Sequence, residues 1–160
     1  MNQKISIKLS RENLSIDEAK KFVSSPNCGA ISIFIGTTRI NENDSTNCHV
    51  HSLYYEAYDQ MALNMMNKIV MDILSEQNDD DQSNIKVYVR HKIGHVPLGE
   101  TSIIIAVSSP HRLAGHRMVM EILNKIKQTV PIWKKIQFDS KDINDGKWSD
   151  KSEAFWLQQS

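Results

Sequence analysis

The sequence predicts an α+β fold with a mostly antiparallel sheet and two long helices. Three observations carry this prediction. Six segments read as strands, through β-branched runs or polar–apolar alternation. Two long segments repeat their apolar residues at helical spacing. The two kinds of segment do not alternate strictly, which argues against a doubly wound parallel sheet.

The elements follow in order. Lys4 to Leu9 alternates polar residues with Ile5, Ile7 and Leu9, as an opening strand does. Ser15-Ile16-Asp17-Glu18 has serine at a helix cap and glutamate three positions later, which predicts a short helix to about Val23. Pro26, Asn27 and Gly29 break the chain. Ala30 to Ile35 is an apolar β-branched run and reads as a buried strand, and Asn41 to Asn47 reads as an exposed polar loop. His49 to Tyr58 alternates again. From Asp59 to about Glu76 the period changes, with Ala62, Met66, Ile69 or Val70, and Ile73 on one helical face. Met61, Met65, Met66 and Met71 read as packing residues.

Asn78 to Asn84 holds Asp79-Asp80-Asp81, a solvated run without the spaced ligands and glycine of a calcium loop. Ile85 to Ile93 and Thr101 to Ser108 are strands, joined through the turn-rich Val96-Pro97-Leu98-Gly99-Glu100. Pro110 to Thr129 is the second long helix, with Val119, Ile122, Leu123 and Ile126 on one face. Pro131 ends it, since proline lacks the N–H donor and biases Val130 toward extended geometry. Ile132 to Phe138 is a final strand, Ser140 to Gly146 a loop, and Trp148 opens a tail.

The 160 residues fit one domain over 1–160, long enough for a core without staples. Lysine plus arginine equals aspartate plus glutamate at 19 each, so no bulk basic excess points to nucleic acid or a membrane surface. No apolar run is long enough to span a bilayer, and no secretory leader is evident. The expected setting is the cytoplasm. Cys28 and Cys48 form no CxxC pair and are expected as free thiols, and no His/Cys spacing suggests a metal.

Against this neutral background, several cations sit at the edges of apolar segments. His111 and Arg112 open the second long helix, where free N–H groups and the helix dipole already favour an anion. The alternative is a surface arginine beside a loop-bonded histidine. Lys127 borders the apolar face of that helix, either snorkelling to water or projecting into a cleft as a base or nucleophile. Lys134 and Lys135 follow Trp133 in a strand and must point to opposite faces. Arg39 closes the run from Phe34, as a bidentate anion clamp or as an ordinary strand-end arginine. No P-loop, GxSxG elbow or HExxH is present.

Taken together, these segments resemble the large, catalytic subunit of molybdopterin synthase. The resemblance rests on Phe34 to Arg39, Tyr55-Glu56-Ala57-Tyr58, His91 with Gly94, and Pro97 with Gly99-Glu100. It continues through Ser108-Ser109-Pro110-His111-Arg112, Lys127, Val130-Pro131-Ile132-Trp133-Lys134-Lys135, and Gly146-Lys147-Trp148. It implies an α/β hammerhead fold and a sulfurtransferase of molybdenum cofactor biosynthesis. Cyclic pyranopterin monophosphate would become molybdopterin, with sulfur from the C-terminal thiocarboxylate of a small ubiquitin-like subunit. The assembly implied is a heterotetramer, a homodimer of large subunits with a small subunit at each end, and no cofactor or metal.

By the same resemblance Lys127 and Lys134 are catalytic, and Thr37, Thr38, Arg39, His111, Arg112, Lys127, Lys134, Lys135 and Ile136 contact the substrate. A basic residue from the second large subunit is also implied, in the region of Lys141 and Lys147. Three features depart from the family pattern. Ile136 stands where glutamate is common, Gly115-His116 where Ala-Phe is common, and Ser140 to Asp145 is a small insertion. A different class of reading is a non-catalytic module that binds a phosphorylated metabolite or a Gly-Gly tail.

Overall fold

The computed structural model describes residues 4–40, 49–77, 83–138 and 147–148. Its elements run β1 (Ile5–Ser10), α1 (Ile16–Val23), β2 (Ala30–Thr37), β3 (Val50–Ala57), α2 (Asp59–Ser75) and β4 (Lys86–Lys92). They continue as β5 (Gly94–Pro97), β6 (Thr101–Ser109), α3 (Arg112–Thr129), β7 (Ile132–Phe138) and β8 (Lys147–Trp148). The expected α+β class, with largely antiparallel pairing, is observed. One sheet has the order β1-β4-β6-β2 and the other β5-β3-β7-β8. Among the described residues, only the β1–β4 pairing is parallel.

Local sequence explains most boundaries. Ser15 caps α1, its hydroxyl accepting from the Glu18 amide at 3.2 Å, as the capping pattern predicts. Val130 adopts extended geometry before Pro131, and β7 starts at Ile132 as expected. Two strands escaped sequence reading. β5 is four residues long and pairs with β3 before the turn at Gly99, whose φ of 79° suits glycine. Lys147 and Trp148 pair with Ile136 and Lys135, so Trp148, expected to open a tail, lies in a short strand. The loops expected at 41–47 and 140–146 lie outside the described residues, as do Asp79 to Asp81 and Cys48. Cys28 is a free, half-buried thiol.

The first sheet is buried on both faces at its centre. Val87, Val89, Ile103, Ile105 and Val107 point inward, onto α2, α3 and residues of the second sheet such as Leu53 and Ile132. Tyr88, Ile104 and Ala106 point outward under Ala19 and Val23 of α1. This outer layer also holds Arg90, whose guanidinium donates to the Ser6 carbonyl and hydroxyl and to Glu18, and stacks 4.0 Å over the Tyr88 ring. Burial pushes the Tyr88 phenol up to about 12, against the opposing pull of Arg90.

The expectation of a buried strand at Ala30 to Ile35 needs correction. Among the described residues, β2 pairs only with β6 and forms an edge of its sheet, with Ile31 37% and Ile35 36% exposed. An apolar run cannot reveal whether a neighbour strand exists on its far side.

α3 lies close to this edge. A Cβ on Gly115 would meet the Ser109 hydroxyl at 2.6 Å and the Ser32 hydroxyl at 2.8 Å. Gly115, one of the departures from the family pattern, therefore allows the helix to approach β2 and β6. Gly115→Ala should lower stability by about 1–3 kcal/mol through overpacking, which outweighs the gain of about 1 kcal/mol in helix propensity. Urea unfolding checks this, and a midpoint at or above wild type would show that both serines can move aside.

Candidate functional site

Three of the predicted cations meet in one cleft of about 380 Å³ between the two sheets. Arg39, Lys127 and Lys134 line it, and each arrives by a different route.

Arg39 follows the end of β2. A register shift between Gly36 and Thr37 sets Ile103 opposite Gly36 but Thr101 opposite Thr37, so Ser102 is the extra residue. Such bulges bend a strand and redirect its side chains. The Ser102 hydroxyl donates to the Gly36 carbonyl at 3.2 Å, and Thr37 lines the cleft next to Arg39. Thr38 is buried instead and belongs to the wall behind.

Lys127 stands in the last turn of α3, where a cation complements the carbonyl end of the helix. Lys127 is exposed and is also among the residues that line the cleft. Lys134 comes from β7 and pairs in register with Tyr55 of β3. Lys135 pairs with Tyr54 and lies on the opposite face, as strand alternation requires. Ile136 is buried in the main core. Neither Lys135 nor Ile136 is among the residues lining the cleft.

The cleft floor contains residues that sequence reasoning quoted but assigned no role. His91 is 2% exposed and Tyr55 4% exposed, and both line the cleft. Their rings meet edge to face with centroids 4.9 Å apart. His91 Nδ1 lies 2.8 Å from the Lys92 carbonyl oxygen. A carbonyl only accepts, so Nδ1 carries the proton in that bond. The available signal was a histidine on the inward-facing phase of a strand otherwise filled by Val87 and Val89. Phe34, Leu53 and Ile103 complete an apolar wall.

His111 and Arg112 are not part of this cleft. They sit at the other end of α3, about 22 Å along the axis from Lys127 at 1.5 Å per residue. Cations thus stand at the helix end whose dipole favours an anion: His111 caps without a side-chain hydrogen bond, and the first turn has no acidic residue. Lys141 lies outside the described residues. Among the described residues, no group of three or more His, Cys, Asp or Glu side chains is placed to hold a metal. No described helix is long and apolar enough to cross a membrane.

Chemically, the cleft offers fixed positive charge, a buried imidazole and a partly apolar wall. That combination suits an anion attached to a flat organic body. Its width depends on Gly36, where an added Cβ would come 2.6 Å from Ile103 Cγ2. Gly36→Ala should press Ile103 into the cleft and cost about 1–3 kcal/mol. Thermal unfolding tests it, and an unchanged midpoint would mean that Ile103 repacks freely.

Comparison with known proteins agrees with this architecture. The family described as MoaE protein matches residues 9–129. A molybdopterin synthase catalytic subunit from Taeniopygia guttata is 43% identical over 150 residues, covering 94% of this chain and 90% of that protein. A solved molybdopterin synthase from Staphylococcus aureus is 27% identical with a TM-score of 0.73, covering 92% of this chain and 96% of that one. A complex of subunits 1 and 2 of molybdopterin-converting factor from Helicobacter pylori shares the fold, with a TM-score of 0.66 at 17% identity over 90% of each chain. With most of its length matched in sequence and fold, the chain belongs to the MoaE protein family.

Proposed function

We propose that the chain is a sulfurtransferase, the catalytic subunit of a molybdopterin synthase in molybdenum cofactor biosynthesis. It converts cyclic pyranopterin monophosphate to molybdopterin in the cytosol, as one domain over residues 1–160 without a resident metal or organic cofactor. The observation that carries the reading is the convergence of Arg39, Lys127 and Lys134 on one cleft. Family membership and the relatives' shared name support it.

Both reactants are anionic, and the cleft answers both. Arg39 takes the substrate phosphate, with Thr37 beside it as a further donor. Lys127 and Lys134 hold the thiocarboxylate at the C-terminus of a small ubiquitin-like partner. The thiocarboxylate sulfur forms a C–S bond to the pterin side chain as a C–O bond of that side chain breaks, the oxygen leaving on the ring-opened phosphate in one transfer and as water in the other. Water then cleaves the acyl–sulfur bond, leaving sulfur on the pterin and a carboxylate on the partner. The lysines stabilise the anionic oxygen and relay protons during these steps. A second donor repeats the transfer to give the dithiolene. The solved two-subunit complex from Helicobacter pylori supports a small partner for this fold.

His111 and Arg112 enter the site from a second copy of the chain. β2 is an open edge with Ile31 and Ile35 exposed. A twofold axis across β2 sets the Ala30 end of one copy beside the Thr37 end of the other. The Ala30 end pairs with Ser109, so it carries the following His111–Arg112 segment with it. This gives a homodimer of large subunits, with one small subunit at each end, and completes an anion site that one chain leaves open.

The competing reading, a module that only binds a phosphorylated metabolite or a Gly-Gly tail, keeps the cations but does no chemistry. Incubation with thiocarboxylated small subunit and cyclic pyranopterin monophosphate separates the two, by appearance of the dithiolene. Lys127→Ala should lower turnover at least about 100-fold with unfolding unchanged, and near-normal turnover would remove Lys127 from the mechanism. Sharing of the site predicts complementation. Lys127→Ala and His111→Ala chains, each weak alone, should recover roughly a quarter of wild-type turnover when mixed, since half of reassorted dimers carry one intact site. No recovery after confirmed subunit exchange would place His111 outside the site.

A further inference from the structure

Lys92 is an unexpected residue to find buried. Its side chain is 6% exposed, at the end of β4, where an apolar side chain would fill the space without desolvating a charge. Its Nζ donates to Asn13 Oδ1 at 2.6 Å and to Glu100 Oε2 at 3.2 Å. Buried ammonium groups persist when they are paired in this way, and the question is what the pair holds in place.

The answer lies one bond further on. The Glu100 carbonyl accepts from the Thr38 amide at 3.0 Å, and the Gly99 amide donates to the Thr38 carbonyl at 2.8 Å. Thr38 is 2% exposed, and its hydroxyl donates to the Val96 carbonyl at 3.4 Å. The turn after β5 thus grips Thr38 on three sides. On the far side of Arg39, the Ile40 carbonyl accepts from the Val50 amide at 2.8 Å. Arg39 is the single residue between these two anchors, and it leaves the regular pairing of β2 to reach the cleft.

We propose that Lys92 and Glu100 are positioning residues, an ion pair that locks the turn at Gly99–Glu100 onto Thr38 and so fixes Arg39 at the cleft. This rests on the sulfurtransferase reading in that Arg39 is taken to bind the substrate phosphate. Neither Lys92 nor Glu100 is among the residues lining the cleft, so their effect is routed through the turn. The chain of contacts runs from charge to backbone: carboxylate to ammonium, turn to Thr38, Thr38 to Arg39. Without the pair, the turn retains its backbone bonds but loses its tie to the β1–α1 loop through Asn13, and Arg39 samples a wider range of positions.

A double-mutant cycle tests this, because a general loss of stability adds to other losses whereas a loss routed through Arg39 does not. Affinity for cyclic pyranopterin monophosphate is measured by calorimetry for wild type, Glu100→Ala, Arg39→Ala and the double variant. Turnover of the wild type with thiocarboxylated small subunit runs alongside. The expected result is a loss of about tenfold in affinity for Glu100→Ala alone, and less than about twofold when Arg39 is already alanine. In turnover, the same variant should raise KM with kcat little changed, as loss of a binding contact does.

Glu100→Gln, which keeps an acceptor for Lys92, should recover most of the affinity. Lys92→Met, which removes the ammonium while keeping an unbranched side chain of similar length, replaces Glu100→Ala in the cycle should that chain not fold. Equal losses in both Arg39 backgrounds, with an active wild type, overturn the positioning role alone. A wild type that neither binds nor converts the pterin overturns the sulfurtransferase reading and this proposal together.

Discussion

The close seating of α3 against β2 and β6 is the constraint from which the site follows. The helix lies where Gly115 leaves room beside the hydroxyls of Ser32 and Ser109. Its buried stripe of Met118, Val119, Ile122, Leu123 and Ile126 then sets the rotation of the helix about its own axis. That rotation aims Lys127 toward the cleft, and the extended Val130 and buried Pro131 lead directly into β7. β7 in turn pairs with β3 in the register that sets Lys134 opposite Tyr55. A side chain larger than hydrogen at position 115 would shift the base on which both lysines depend.

A second consequence is electrostatic. The chain is neutral as a whole, with equal numbers of acidic and basic residues. The fold separates them locally. Arg39, Lys127 and Lys134 gather around one cleft, while Arg90 and Lys92 are buried with Glu18 and Glu100 as partners. The buried cations serve the framework. Those at the cleft give it a local positive potential that suits an anion. A neutral total charge with a local concentration of cations favours selective capture of a small anion over general attraction to nucleic acid.

Legibility varied with the range of the interaction that decides each feature. The cap at Ser15, the stop at Pro131 and the period of α2 and α3 are local, and they appeared in the structure nearly where the sequence put them. β5 and β8 were missed because strands of four and two residues have too few positions to show alternation; their pairing with β3 and β7 defines them. β2 was read as buried because its apolar content was visible while its place at the sheet edge was not. The cations were recognisable in type, but distance was not: fifteen residues of helix separate Arg112 from Lys127, and sequence proximity gave no hint that they stand at opposite ends.

By itself, the sequence determined the α+β class, the two long helices, the alternation that sends Lys134 and Lys135 to opposite faces, and the family. These depend on hydrophobic period, proline geometry and motif order, all of which are written along the chain. Only the tertiary structure decided which cations share a cleft, that His91 and Tyr55 form its floor, and that Lys92 pairs with Glu100 in the turn bonded to Thr38. Those features arise where segments dozens of residues apart are packed together by burial of their apolar faces. The outcome of that packing depends on strand order and register, which no single segment encodes.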